Sequence, residues 1–229
     1  MSVAAILAAA GRGDRLGRPK QLLDLAGKPM AAWSLEVFED TPAIDAVYIA
    51  CEADERERFE ALAKDYAPSK KCVIVAGGAT RQASVHAALS AVAPAPQLVL
   101  VHDGARPFVT PDIVERTIAA AHQGISAIAA VPVKDTIKQA HDSAVARTIP
   151  RATLWAAQTP QVFPYDVLVA AHARALADGV WETDDAALVE RLGAPVVLVM
   201  GSYANIKITT PEDFEIALWI AQRMETARR

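Results

Sequence analysis

The stretch Ala8-Ala9-Ala10-Gly11-Arg12-Gly13-Asp14-Arg15-Leu16-Gly17-Arg18-Pro19-Lys20-Gln21 follows directly on an apolar run at residues 3–7. That run reads as a buried strand. After it come small residues, then glycines, then the cations Arg12, Arg15, Arg18 and Lys20. Alanine and glycine let a backbone approach a ligand closely, because no large side chain stands in the way. Successive backbone N–H groups in such a loop form a concavity that binds anions. A strand, a close-approach loop and a set of cations together make a seat for a polyphosphate. The loop is not a Walker A motif, since no Gly-Lys-Ser/Thr follows at the required spacing. It is not a dinucleotide fingerprint either, since Leu16 stands where a third glycine is needed.

Outward from this loop, apolar runs recur at residues 46–51, 72–76, 98–101, 127–133 and 196–200. Helical spacing lies between them, most clearly at residues 30–38, 53–66, 81–92 and 111–122. Thr110-Pro111-Asp112 is a helix start, and Thr210-Pro211-Glu212-Asp213 repeats it before a last helix expected to run to Met224. Strands alternating with helices predict an α/β fold: a mostly parallel sheet with helices on both faces. Ligands of such sheets bind at the carboxyl ends of the strands. The loops after Leu7 and after Val101 therefore share one rim. Residues 134–140 and 144–149 alternate weakly around His141-Asp142-Ser143 and predict a projecting β-hairpin. A lone hairpin is marginally stable, so this arm is expected to pack against something: a second subunit, or its own domain as a surface excursion.

The 229 residues, 52% hydrophobic and 22% charged, suit one large domain, and no linker divides them. A net charge of −4 argues against a nucleic-acid binder, so the local cations serve a local anion. Cys51 and Cys72 are far apart, which does not suit a four-ligand zinc site, and both are expected to be buried small side chains. No apolar run approaches the ~20 residues that span a bilayer. With no basic region ahead of an apolar stretch there is no secretory signal, and a cytoplasmic protein is expected.

Three further segments carry chemistry. In Val101-His102-Asp103-Gly104-Ala105-Arg106-Pro107-Phe108, Asp103 lies just past a strand on the ligand rim. A carboxylate there suits Mg²⁺, which takes one or two protein carboxylates plus phosphate oxygens; a structural ion pair is the alternative. Arg106 either holds Asp103 or contacts a phosphate. In Gly77-Gly78-Ala79-Thr80-Arg81-Gln82-Ala83-Ser84 the glycines allow a base or sugar to pack on bare backbone and Ser84 can hydrogen-bond it. Equally, the segment is a β-to-α turn with Thr80 as cap. In Asn205-Ile206-Lys207-Ile208-Thr209 a short strand is expected, its isoleucines on one side and Lys207 on the other. Lys207 either reaches an α-phosphate or is simply solvated.

Together these segments resemble the 2-C-methyl-D-erythritol 4-phosphate cytidylyltransferases of the non-mevalonate isoprenoid pathway. The likeness rests on Ala9-Ala10-Gly11-x-Gly13-x-Arg15, Pro19-Lys20-Gln21, Gly77-Gly78 with Arg81 and Ser84, and Val101-His102-Asp103-x-Ala105-Arg106-Pro107. It extends to Val131-Pro132-Val133-x-Asp135-Thr136, Thr159-Pro160-Gln161, Thr183-Asp184-Asp185 and Asn205-Ile206-Lys207-Ile208-Thr209. The resemblance implies a Rossmann-like nucleotidyltransferase domain over residues 1–229, with residues 134–156 as a protruding dimerisation arm. It implies a homodimer that transfers CMP from CTP to a sugar-alcohol phosphate. By position it makes Arg15, Lys20 and Lys207 the catalytic cations and Asp103 the Mg²⁺ ligand. Ala9, Ala10, Gly11, Gly13, Gly78 and Ser84 then hold CTP. Arg106, Asp135, Thr136, Arg151 and Thr183 hold the acceptor, Arg151 from the neighbouring subunit. Ala204 stands where relatives often carry an acid, so one metal ligand, Asp103, is expected. The alternatives are a ribitol 5-phosphate cytidylyltransferase, a non-catalytic nucleotide-binding regulator, and one domain of a bifunctional enzyme. The absence of a linker after residues 226–229 favours a stand-alone protein over the last.

Overall fold

The computed structural model describes residues 2–11, 20–122 and 124–228. Gly13 and Arg15, with the neighbouring cations Arg12 and Arg18, lie outside the described residues. The chain runs β1 (Val3–Ala8), β2 (Asp24–Leu25), β3 (Lys28–Pro29), α1 (Met30–Glu39), β4 (Ile44–Cys51), α2 (Arg56–Tyr66), β5 (Lys71–Ala76) and α3 (Arg81–Ala91). It continues through β6 (Leu98–Asp103), α4 (Pro111–Ala120), β7 (Ser126–Pro132), β8 (Ile137–His141), β9 (Ala144–Ile149) and β10 (Trp155–Pro164). Last come α5 (Tyr165–Asp178), α6 (Asp185–Arg191), β11 (Val196–Met200) and α7 (Pro211–Arg228).

Seven strands form one sheet in the order β11-β7-β10-β6-β1-β4-β5. Six run the same way, and β10 lies antiparallel to both β6 and β7. Side chains alternate across a strand, and β1 uses both sides. Val3, Ala5 and Leu7 pack with α1, α2 and α4, whereas Ala4 and Ile6 pack with α3, α5 and α6. Every residue from Val3 to Leu7 is buried, which is why the run carries no polar residue. A third cluster sets Ala217 and Ala221 of α7 against Leu25, Met30, Trp33, Phe108 and Ile208. It is locked by the Trp33 indole N–H, which donates to the Leu25 carbonyl at 3.1 Å. Helix α7 starts on a reciprocal cap. Thr210 Oγ1 accepts from the Asp213 N–H, while Asp213 Oδ2 accepts from the N–H groups of Thr209 and Thr210.

The mostly parallel sheet, its helical layers and the hairpin agree with expectation. The hairpin is shorter than predicted at its first strand and turns at Asp142 and Ser143, which take φ of +45° and +68°. Three features were not foreseen. Strand β10 was not expected; it sits centrally, and Pro160, which cannot donate to a ladder, falls where the pairing with β7 shifts register between Ala157 and Gln161. Helices α5 and α6 were also missed. The segment from Ile206 to Thr209 is not a strand. It is an extended connection whose Ile208 N–H bonds to the Ala105 carbonyl at 2.9 Å. The expected alternation survives there because Ile208 is buried against α7 while Lys207 faces outward. Of the cysteines, Cys51 is buried and Cys72 only half-buried; neither forms a disulfide.

Candidate active site

Strand register brings the two predicted loops together. Ala8 pairs with Asp103 at the carboxyl ends of β1 and β6, and the Gly104 N–H reaches the Ala8 carbonyl at 2.9 Å. This is the switch point of the sheet: the chain steps outward from β1 through β4 to β5, then returns over α3 to β6 on the other side of β1. A cleft of about 760 Å³ opens here, walled by Ala8, Ala10 and Gly11, by Lys20, by the 77–84 loop, and by Asp103 and Lys207.

The 77–84 loop closes tightly on the first. A Cβ on Gly77 would lie 2.2 Å from the Ala10 Cβ, and one on Gly78 would lie 2.6 Å from the Ala83 Cβ. Both glycines thus serve protein packing. Thr80 caps α3 by accepting from the Ala83 N–H at 3.1 Å, as the turn reading expected. The Ser84 hydroxyl donates to the Thr80 carbonyl at 2.8 Å and accepts from the Gly78 N–H at 3.1 Å. It braces the cleft wall through these backbone partners.

The floor is a chain of charges. Asp103 Oδ2 meets Lys207 Nζ at 2.8 Å, and its Oδ1 accepts from Arg81 Nε at 2.8 Å. Arg81 Nη1 donates to Asp185 Oδ2 at 2.8 Å, and Asp185 Oδ1 accepts from His172 Nε2 at 3.0 Å. Burial opposes the charge on Asp103, but Arg81 and Lys207 outweigh it and hold the carboxyl well below the usual carboxylate range. Burial likewise opposes the charge on Asp185, and Arg81 with His172 lowers that carboxyl too. Burial works against charge on Arg81, and the two aspartates more than restore it, keeping the guanidinium above its ordinary value. Beneath Asp103, burial pushes the His102 ring down to about 4. The neutral ring fits its partners: Nε2–H donates to the Arg106 carbonyl at 3.0 Å, and Nδ1 accepts from the Thr159 hydroxyl at 2.9 Å. Thr159 Oγ1 in turn accepts from the Asp103 N–H at 3.1 Å.

The sequence model of the IspD family, 2-C-methyl-D-erythritol 4-phosphate cytidylyltransferase, matches residues 3–223. The chain belongs to this family. It is 47% identical over 227 residues to a 2-C-methyl-D-erythritol 4-phosphate cytidylyltransferase of Shouchella clausii, covering 98% of this chain and 99% of the other. Its fold is similar to that of 4-diphosphocytidyl-2C-methyl-D-erythritol synthase from Anaerococcus prevotii, with a TM-score of 0.86, 31% identity and coverage of 96% and 98%. It is also similar to the Thermus thermophilus cytidylyltransferase, with a TM-score of 0.80, 36% identity and coverage of 97% and 100%.

Against the site implied by likeness to IspD enzymes, the cleft gathers Ala10, Gly11, Lys20, Gly78, Ser84, Asp103 and Lys207. Ala9 lies buried beneath it, its N–H bonded to the Ala50 carbonyl. Arg106 turns away: it donates to the carbonyls of Asn205 at 2.8 Å and Ala157 at 3.4 Å, and its Nε stays 3.8 Å from Asp103. Its geometry is that of a brace for the Asn205–Lys207 segment; Arg81, not Arg106, is the arginine that grips Asp103. Asp135, Thr136 and Arg151 sit exposed at the arm, where Arg151 donates to the Lys134 carbonyl, and Thr183 is exposed just ahead of α6. None of these four is in the cleft wall. Arg81 and Asp185 stood within the motifs quoted from sequence but were given no role there, and His172 was not named at all. One signal was available for Arg81: a cation at the first position of a helix opposes the macrodipole, so a specific acid must hold it there.

The donor set at Asp103 fits a hard cation. An ionised carboxylate offers about four lone-pair sites, and Arg81 and Lys207 take one each. No group of three or more His, Cys, Asp or Glu able to hold a metal occurs among the described residues. Mg²⁺ is commonly held by one or two protein carboxylates and otherwise by substrate phosphates and water.

Proposed function

We propose that this chain transfers CMP from CTP to 2-C-methyl-D-erythritol 4-phosphate, releasing pyrophosphate and giving 4-diphosphocytidyl-2-C-methyl-D-erythritol. The observation that carries this for a member of the IspD family is the cleft floor: Asp103 clasped by Arg81 and Lys207 at the end of β6, with Lys20 in the same wall. The nucleophile is an oxygen of the acceptor phosphate, whose second pKa is near ~6. It is dianionic at neutral pH, so the reaction needs no general base. Consistent with that, the two hydroxyl side chains of the described cleft wall, Thr80 and Ser84, are both engaged with backbone partners.

The acceptor oxygen forms a bond to the α-phosphorus of CTP as the bond to the β-phosphate breaks, and pyrophosphate leaves with the electron pair. The barrier is the approach of two polyanions, so catalysis is positioning and charge neutralisation. Lys20 and Lys207 are assigned to the α-phosphate and the leaving group, together with Arg15. The Lys20 ammonium is aimed by its bond to the Ile208 carbonyl at 3.0 Å, which brings it beside the Lys207 segment. Asp103 is the residue we assign to Mg²⁺, which when bound would neutralise triphosphate charge and polarise the phosphoryl oxygens.

We further propose that the protein is one domain acting as a homodimer through the arm at residues 134–156, with Thr136 and Arg151 at the acceptor. Strands β8 and β9 form a separate two-stranded sheet that is almost wholly exposed, with Val145 63% accessible, which suits a surface covered by a partner. A cytoplasmic enzyme is the corresponding setting; no described helix is long and apolar enough to cross a membrane. The deciding experiment is pyrophosphate release from CTP with methylerythritol phosphate and ribitol 5-phosphate offered in parallel, each with Mg²⁺ or with EDTA. Release with methylerythritol phosphate, abolished by EDTA, is expected. Release with ribitol phosphate alone would overturn the acceptor, release with neither the activity, and release in EDTA the metal role.

A further inference from the structure

We propose that Asp185 and His172 are positioning residues for the nucleotide chemistry. They hold Arg81 so that it meets Asp103 through a single nitrogen, which leaves lone pairs of Asp103 open to the cleft. This rests on the cytidylyltransferase reading of that cleft.

An arginine 2.8 Å from one carboxylate ordinarily closes a two-pronged fork on it. Here the fork is split. Arg81 gives Nε to Asp103 and Nη1 to Asp185, and Nη2 is buried with no hydrogen-bond partner among the described residues. Without Asp185, the second prong of the guanidinium is free to turn on Asp103 as well and compete with Lys207 for Oδ2. Asp185 is itself aimed. It is the first residue of α6, its side chain is 1% exposed, and its second oxygen is taken by His172 of α5, equally buried. A carboxylate only accepts, so His172 Nε2 carries the proton. His86 of α3 stacks on the ring, with centroids 5.8 Å apart and planes at 22°. Three helices on one face of the sheet therefore converge on one guanidinium.

Stability does not explain this arrangement. Asp185 and His172 are taken out of water, each 1% exposed, on the face of the sheet that holds the apolar residues Leu168, Ala171, Ala175 and Ala186, where well-packed apolar side chains would do as well or better. What the charges supply is a fixed direction, delivered to Asp103 from residues far away in the chain.

The test uses the full-length enzyme. A glutamine amide nitrogen reaches about as far as His Nε2, whereas an asparagine amide stops near Nδ1. His172→Gln therefore keeps the bond to Asp185 and His172→Asn loses it. Asp185→Asn removes the charge, and Arg81→Lys keeps a cation but loses the two separate nitrogens, Nε and Nη1, that meet the two carboxylates. The readouts are kcat, KM for CTP, KM for the acceptor, and Mn²⁺ affinity in the presence of CTP, followed by the spin-resonance signal of free Mn²⁺. We expect His172→Asn, Asp185→Asn and Arg81→Lys to lose about 10–100-fold in Mn²⁺ affinity or kcat. KM for CTP should rise while KM for the acceptor stays put, and His172→Gln should behave like the parent. Folded His172→Asn and Asp185→Asn proteins with parental kcat and Mn²⁺ affinity would overturn the proposal. So would equal losses in His172→Gln and His172→Asn. Should neither buried-site variant fold, an Arg81→Lys enzyme with parental values is enough to reject it. A parent enzyme that fails to turn over CTP refutes the underlying activity instead.

Discussion

Replacing Lys207 by alanine separates its two possible roles. The Lys207 ammonium lies 2.8 Å from Asp103 Oδ2, with the lysine side chain 39% exposed and the aspartate 9%. At that distance the bare attraction is about 1.5 kcal/mol in water and about 6 kcal/mol at an effective dielectric of 20. Side-chain ordering and solvent screening of the exposed lysine reduce the net to about 1 kcal/mol or less. Asp103 also keeps Arg81 at 2.8 Å, so it is not left buried and unpaired. A loss of about 1 kcal/mol in a chain of this length lowers Tm by about 2–4 °C. If Lys207 instead stabilises charge on the α-phosphate during transfer, its removal lowers kcat by about 10²–10³, or roughly 2.7–4 kcal/mol. The signature is the gap between the two numbers: a nearly unchanged melting curve with a collapsed rate of pyrophosphate release. Parental kcat in Lys207→Ala would remove the lysine from the chemistry. A large fall in Tm accompanied by a matching loss of activity would show that it acts as a strut.

Other consequences can be checked on the same protein. Gly77→Ala places a methyl 2.2 Å from the Ala10 Cβ, so it should destabilise by about 1–3 kcal/mol and raise KM for CTP; a parental melt and CTP titration would show that the loops yield freely. Burial holds His102 at about 4, below the ~6.5 of an unfolded histidine, so between those values the unfolded chain binds a proton that the native chain refuses. Stability should be full above about pH 6.5 and fall by up to about 3 kcal/mol as pH drops toward 4. Urea midpoints should show a shallower fall in His102→Gln, and identical slopes would exonerate His102. If Arg151 serves the neighbouring subunit, mixing inactive Arg151→Ala with inactive Lys20→Ala should recover activity in heterodimers. No recovery in verified heterodimers argues that each site is built from one chain.

The sheet was legible because its parallel strands are buried on both faces and must be apolar runs; residues 3–7 and 98–101 declare themselves that way. The rim shared by Ala8 and Asp103 then followed from strand direction alone. Strand β10 escaped because its central residues, Gln158, Thr159, Pro160 and Gln161, look like a loop. They are buried because each polar side chain has a distant partner. Gln161 donates to Asp184 at 2.8 Å and accepts from the Ala186 N–H at 3.2 Å, while Gln158 donates to the Ser202 carbonyl at 2.8 Å. No local pattern reveals a polar strand whose hydrogen bonds are spent on neighbouring loops.

From sequence alone came the fold class, the family likeness, and three charged groups of the cleft, Lys20, Asp103 and Lys207. Local composition can decide these, because burial, backbone freedom and charge are properties of short segments. Which charge meets which was decided only by the tertiary structure. Asp103 and Arg106, three residues apart, remain a loose ion pair at 3.8 Å, yet Arg106 gives its hydrogen bonds to backbone carbonyls and Asp103 makes its close contacts with Arg81 and Lys207. Arg81 reaches across 104 positions to Asp185. Contacts of that separation follow from strand order and from which helices share a face of the sheet, and those are set by packing the whole chain at once.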